Sequence, residues 1–248
     1  MKMDNGKKHI FHNNMSTLIF DIETVGEDFD SMDETTQHVL TKWIKETSQN
    51  DAEYTHDLNV IKNRLGFSPF TGSVVAIGMY DLEKQKGAVY YQHPGNEGVE
   101  TIVDGIKYKT MGEKEMLELF WQKAKQYDTF VTFSGYQFDV PFLLVRSAVH
   151  HVHPTRNLMT NRYLSSQKQV KHIDLADQLS YYGAMRKKPS LHLVCRAFDV
   201  VSPKAGGVSG DDVGVLFTTG EYEAIAKYNI GDVIATKEVY VRWQNYLK

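Results

Sequence analysis

The chain has 248 residues, 42% of them hydrophobic and 24% charged, which is the composition of an ordinary folded protein with room for one substantial core. A net charge of −3 gives no overall signature of nucleic-acid binding, and a single cysteine, Cys195, excludes a disulfide framework within one chain. No apolar run approaches the ~20 residues that span a membrane, and the opening MKMDNGKKHIFHNNMS lacks the apolar region of a secretory signal, so a cytoplasmic protein is expected. Residues 1–16 read as a poorly ordered extension, and residues 17–248 as a single α/β domain with its sheet in the N-terminal half.

In chain order, TLIFDIETV (17–25) reads as a first strand. Residues 31–66 are polar, with scattered Trp43, Ile44, Leu58, Ile61 and Leu65, and read as a mostly helical insertion ended by the FSPFTG turn. SVVAIGMYD and GAVYYQ form a strand pair, and residues 93–110 a loop with at most a short hairpin. GEKEMLELFWQKAKQ carries Met116, Leu119, Phe120 and Ala124 at helical spacing. TFVTFSG is a short strand, and FDVPFLLVRSAVHH opens a helix with Pro141 tolerated in its first turn. KHIDLADQLSYY and PSLHLVCRAFDV read as two short helical pieces, KAGGVSGDD as a loop, and the stretch from Gly220 to the end as the longest helix.

Three sets of carboxylates stand out. Asp21 and Glu23 are two residues apart on a strand, so both point to one face, and like charges that close repel unless a cation lies between them. A strand end in solvent would show the same spacing; the apolar lead-in Leu18, Ile19 and Phe20 marks a core strand delivering acids to a cleft. Asp139 opens an apolar helix, where it suits the positive end of the dipole and would equally serve as a simple cap. Tyr228 and Asp232 share a face of the last helix, and an ordinary surface pair would have the same spacing. Converging, the four carboxylates could hold two divalent ions about 3.5–4 Å apart, and oxygen-only ligands favour Mg²⁺ or Mn²⁺ over zinc.

Charge is distributed unevenly: residues 146–204 carry +7 and the remainder −10. That suits a polyanion held over bound metals, or simply a solvated basic face. HHVHP, with His150, His151 and His153, reads as a polar loop rather than a zinc site, and Cys195 as core.

Taken together, FDIET, FSGYQFDVPFL and YNIGDVIATKEVYVR, with PFTGSVVAIG, HIDLAD and SLHLVCRAFDVVSPKAGGVSGDDV between them, resemble the DEDD superfamily of 3′–5′ exonucleases. The chain looks most like the bacterial predicted exonucleases related to the proofreading domain of family B DNA polymerases. The resemblance covers about residues 17–245 and implies an RNase H-like fold, a mixed central sheet flanked by helices. It implies Asp21, Glu23, Asp139 and Asp232 as ligands of two Mg²⁺ or Mn²⁺ ions. Tyr228 would orient the attacking water or help deprotonate it. Lys227 stands where the superfamily's other branch has histidine, so the chain is of the tyrosine branch. Ser134 stands where the second motif often has asparagine, which leaves the ligands intact and bears on substrate contacts.

The activity implied is hydrolysis of single-stranded nucleic acid from its 3′ end, DNA ahead of RNA, to nucleoside 5′-monophosphates, with no polymerase domain in the same chain. Ser134, Tyr136, Lys188 and Lys204 are the expected substrate contacts, with Arg186 and Lys187 as further phosphate candidates. Tyr136 and Phe138 could stack on terminal bases, with core packing the favoured reading for Phe138. The rival from another class is a non-catalytic nucleic-acid-binding module on the same fold; a third is an enzyme for small phosphodiesters.

Overall fold

The computed structural model describes residues 16–203, 207 and 209–248. Among these residues seven strands form one mixed sheet: β1 (Thr17–Gly26), β2 (Gly72–Asp81), β3 (Lys86–Tyr91), β4 (Glu100–Val103), β5 (Ile106–Thr110), β6 (Thr129–Thr132) and β7 (Lys171–Asp174). Their order is β4-β5-β3-β2-β1-β6-β7. The β1–β2, β2–β3 and β4–β5 pairs are antiparallel, and β3–β5, β1–β6 and β6–β7 are parallel. The helices are α1 (Glu34–Thr47), α2 (Asp51–Arg64), α3 (Glu113–Ala124), α4 (Asp139–Val149), α5 (Leu175–Leu179), α6 (Leu191–Phe198), α7 (Val213–Thr218) and α8 (Tyr222–Tyr246).

One expectation is corrected. KHIDLADQLSYY is not a helical piece throughout, and the sheet is not confined to the N-terminal half: Lys171–Asp174 is an edge strand paired with β6, and only Leu175–Leu179 is α-helical. Four residues are too few to show a period, so only the tertiary pairing decides between strand and helix.

Strand alternation divides the core into two layers. Ile19 and Val25 of β1 face one side, where they meet Ile225, Val233 and Val239 of α8 and Cys195 of α6. Leu18, Phe20 and Ile22 face the other, against Phe120 and Trp121 of α3 and Phe142 of α4. Glu113 ties the second layer together. Its buried carboxylate accepts from the Val74 amide at 2.8 Å and from Arg146 Nε and Nη2 at 2.8 Å each, and it meets His150 Nε2 at 2.7 Å.

Two features shape the site. β1 pairs with β6 only over Thr17–Ile19, so the chains splay beyond that point. The α1–α2 segment is pinned to the far end of β1: the Thr24 hydroxyl donates to the Gly66 carbonyl at 2.6 Å, and a Cβ on Gly66 would lie 2.9 Å from the Gly26 nitrogen. Only glycine permits backbones that close. The turn at Leu65–Phe67 is thereby held beside the splayed end of β1.

Candidate functional site

A cleft of about 950 Å³ opens where β1 and β6 part, and its walls include Asp21, Glu23, Ser134, Asp139, Tyr228 and Asp232. Each comes from a different local cause. Asp21 and Glu23 share a face of β1, and the register shift opposite Glu23 and Thr24 places an extra residue, Val75, in the facing strand β2. Bulges commonly re-aim side chains beside active sites. Asp139 is the first residue of α4; its Oδ1 accepts from the Ile22 amide at 3.2 Å, a donor that the divergence from β6 leaves without a strand partner. Tyr228 and Asp232 sit one turn apart on α8.

Among the described residues, Asp21, Glu23 and Asp232 form the one group of three or more histidine, cysteine or carboxylate side chains close enough to hold a cation, their ligand atoms lying within 4.8 Å of one another. His150, His151 and His153 form no such group; His150 is engaged by Glu113.

The electrostatics are those of crowded, dry carboxylates. Burial raises the Asp21 carboxyl well above the ordinary range, and Asp139, Asp232 and Glu23 add repulsion. Glu23 is raised by burial, then by Asp232 and Asp139. Asp139 is pushed up to about 7, chiefly by burial; hydrogen bonds from its own amide and that of Ile22 oppose the shift, while Asp174 and Asp232 reinforce it. Among the described residues no lysine or arginine forms an ion pair with Asp21, Glu23 or Asp139. An all-oxygen donor set, with no ion-pair partner for Asp21, Glu23 or Asp139 among the described residues, fits a hard divalent cation. The Tyr228 hydroxyl is raised by burial and by the Asp232 and Glu23 charges, and it donates a hydrogen bond to Asp232.

Two residues that sequence reasoning passed over complete this shell. Asn229 Nδ2 donates to Asp21 Oδ2 at 2.8 Å, and the same amide counters the Glu23 shift. Asn229 is fully buried over Gly78, where a Cβ would come within 2.5 Å of its Oδ1. Gly78 is also the register partner of Asp21 on β2. A glycine inside the apolar run VVAIGMY was the available signal, since such a glycine often marks a close backbone approach. Asp174 is the second residue. Its carboxylate accepts from the Ser134 and Tyr136 amides at 2.9 and 3.1 Å and from Ala176 at 3.0 Å, so it caps α5 and shapes the turn leading to Asp139.

The remaining sequence candidates divide. Ser134 lies in the cleft wall with φ +68, a left-handed conformation in which asparagine is more at ease than serine. Phe138 is half-buried in the same wall, its ring 6.3 Å from that of Phe67. Tyr136 is not among the lining residues: its ring stacks on buried His172 at 4.2 Å and its hydroxyl meets Thr160 Oγ1 at 3.1 Å. Lys188 pairs with the buried Asp177 carboxylate at 2.8 Å. Lys204 lies outside the described residues. Lys62 and Arg64, from the end of α2, line the cleft and were not singled out by sequence.

A family described as "Predicted 3′-5′ exonuclease related to the exonuclease domain of PolB" matches residues 85–247, about two thirds of the chain. The chain belongs to this family. Asp139, Tyr228 and Asp232 lie within the matched span, and β1 with Asp21 and Glu23 precedes it. Among solved structures, the family B DNA polymerase of the hyperthermophilic archaeon Pyrobaculum calidifontis aligns with this exonuclease-family chain at a TM-score of 0.55 and 14% identity. The alignment covers 93% of the chain and 24% of the polymerase, so the chain spans about a quarter of the polymerase's length. The likeness fixes the fold as the RNase H-like arrangement of such exonuclease domains, with the mixed sheet and flanking helices that the sequence led us to expect. None of the curated proteins compared with the chain by sequence matches it. Among the described residues no helix is long and apolar enough to cross a membrane.

Proposed function

We propose that the chain is a divalent-metal-dependent 3′–5′ exonuclease that hydrolyses single-stranded nucleic acid, DNA ahead of RNA, to nucleoside 5′-monophosphates. The observation that carries this reading is the approach of Asp21, Glu23 and Asp232 to within 4.8 Å, with buried Asp139 in the same cleft wall. The family's relation to a DNA polymerase's exonuclease domain supports the ranking of substrates.

Asp21, Glu23, Asp139 and Asp232 would hold two Mg²⁺ or Mn²⁺ ions. When bound, the ions supply a more acidic water and offset the negative charge that grows on the phosphate and the departing 3′ oxygen. Tyr228 orients the water rather than deprotonating it, because burial and neighbouring carboxylates keep its phenol protonated. Asn229 fixes Asp21 through a direct hydrogen bond. Phe67, 52% exposed, and Phe138 offer ring faces to a terminal base, and such stacking is worth about 1–3 kcal/mol per base. Arg64 on the cleft rim is placed to meet phosphates, whereas Lys62 beside it is engaged by Asp30 at 2.7 Å.

The test is to incubate the full chain with 5′-labelled single-stranded DNA and RNA in Mg²⁺, Mn²⁺ or EDTA, beside Asp21→Asn. Metal-dependent, stepwise shortening from the 3′ end that Asp21→Asn abolishes is the expected result. Salt-sensitive strand binding without cleavage in either metal would replace this reading with a non-catalytic binding module.

A further inference from the structure

The chain from Val140 to Phe198 contains only two carboxylates, Asp174 and Asp177. Each is 1% exposed, and Asp177 is already engaged by Arg162 and Lys188. Every carboxylate of this stretch is therefore withdrawn from the surface, while Lys168, Arg186 and Lys187 remain exposed. The surface that this stretch contributes therefore carries positive charge only.

Aromatic rings interrupt that basic surface. Tyr181 is 61% and Tyr163 53% exposed, and the Tyr163 ring packs on Tyr182 at 4.7 Å. The backbone that presents them is unusual: Tyr181, Tyr182 and Gly183 have φ of +50, +57 and +96 in succession. A non-glycine residue in the left-handed region is uncommon, and two bulky ones in a row are held only where the surroundings enforce them. The Tyr182 hydroxyl supplies part of that enforcement, meeting the Gln178 side chain at 2.8 Å and accepting from the Leu164 amide at 3.3 Å. The Tyr181 ring instead is presented to solvent.

The turn follows β7 and α5, on the side of the sheet where the cleft opens. β1, β6 and β7 are parallel neighbours, so the segments leaving their C-terminal ends emerge at the same edge of the sheet. β7 lies two strands from β1, roughly 10 Å at the usual spacing. Asp174, seven residues before Tyr181, bonds directly to the amide of Ser134 in the cleft wall.

We propose that this turn and its flanks form a track for single-stranded nucleic acid leading to the cleft, with Tyr181 and Tyr163 stacking on bases and Arg186 and Lys187 meeting phosphates. Exposed aromatic rings interleaved with cations are the chemistry that holds an unpaired strand without regard to sequence. The inference rests on the nuclease reading for its direction toward the cleft.

The experiment measures binding of a labelled 20-mer and of a dinucleotide, as DNA and as RNA, to the full chain in EDTA across a salt series. Tyr181→Gly and the double variant Arg186→Glu/Lys187→Glu are compared with wild type. The double variant should lose at least tenfold in affinity for the 20-mer, with a salt slope shallower by about 1.4 for two phosphate contacts. Tyr181→Gly should lose roughly 5- to 100-fold, while its Tm stays at or above that of wild type because glycine relieves the left-handed strain. In both, the advantage of the 20-mer over the dinucleotide should narrow. Wild-type affinity and salt slope in the double variant would overturn the track, as would a lowered Tm with unchanged binding in Tyr181→Gly. A wild-type chain that binds strands and loses binding in these variants, yet cleaves nothing, would uphold the track and overturn the exonuclease reading.

Discussion

Asp139 shows what a buried acid costs when it lacks a cation. Its carboxyl is held up to about 7 by burial, against about 3.9 in an unfolded chain. Below the lower value both states carry the proton and the group contributes nothing to stability. As pH rises through this window the unfolded state ionises first, so stability falls until pH passes about 7. In EDTA, wild type should therefore lose stability between pH 4 and pH 7, and Asp139→Asn should make that part of the profile shallower, with Asp21 and Glu23 supplying the slope that remains. Asparagine keeps an oxygen acceptor for the Ile22 amide, so the fold is not otherwise disturbed. Urea unfolding at several pH values measures it, and a wild-type profile as flat as the variant's would refute the argument. At this scale the sequence was informative where chemistry and context coincide. Asp21 and Glu23 interrupt an apolar strand, and that conjunction was visible, although the strand runs on to Gly26 and does not end at the acids. Neighbours in a turn are harder to read: Ser134 lies in the cleft wall while Tyr136, two residues on, turns onto His172. Lys188 looks like its neighbours Arg186 and Lys187, but its charge is spent on Asp177, a contact no composition reveals.

At the scale of elements, the seating of α8 on the sheet sets the geometry of the acids. Gly78 leaves the space into which Asn229 fits. Gly78→Ala should push the amide off Asp21 and so reproduce Asn229→Ala, each weakening Mn²⁺ binding by about 10- to 100-fold, as the loss of an outer-shell partner typically does. The Gly78→Ala variant should also cost about 1–3 kcal/mol from overpacking. Calorimetric titration with Mn²⁺, without substrate, separates the two effects. Equal Mn²⁺ affinity in wild type and both variants would remove Asn229 from the site. α8 itself was legible from its length and pattern, and β1 from its apolar run. β7 was not, since four residues cannot display a period and only pairing with β6 defines them. The same holds for Phe67 and Arg64: nothing local says that the Leu65–Phe67 turn lies against Gly26, because close packing of glycine backbones is a tertiary fact.

For the molecule as a whole, concentrated repulsion in the cleft links stability to cation supply. A cation that binds only the folded chain stabilises it by about 2.7 kcal/mol at 100 times its Kd, which for a chain of this size raises Tm by roughly 5–11 °C. Mn²⁺ should produce that rise in wild type and little of it in Asp21→Asn; scanning fluorimetry with and without EDTA distinguishes them, and equal shifts in both would place the binding elsewhere. The mixed sheet was readable in outline because its central strands carry strong apolar runs, whereas its outer strands are short and depend on neighbours. The hydrogen bond between Asn229 and Asp21 joins residues 208 apart in the chain. During synthesis Asp21 leaves the ribosome long before Asn229 and Asp232 exist. Until α8 emerges and docks, the nascent chain carries an acid pair without its helical partners. The site is thus assembled late: a chain that would cut nucleic acid gains its full carboxylate set only once α8 has been made and has docked on the sheet.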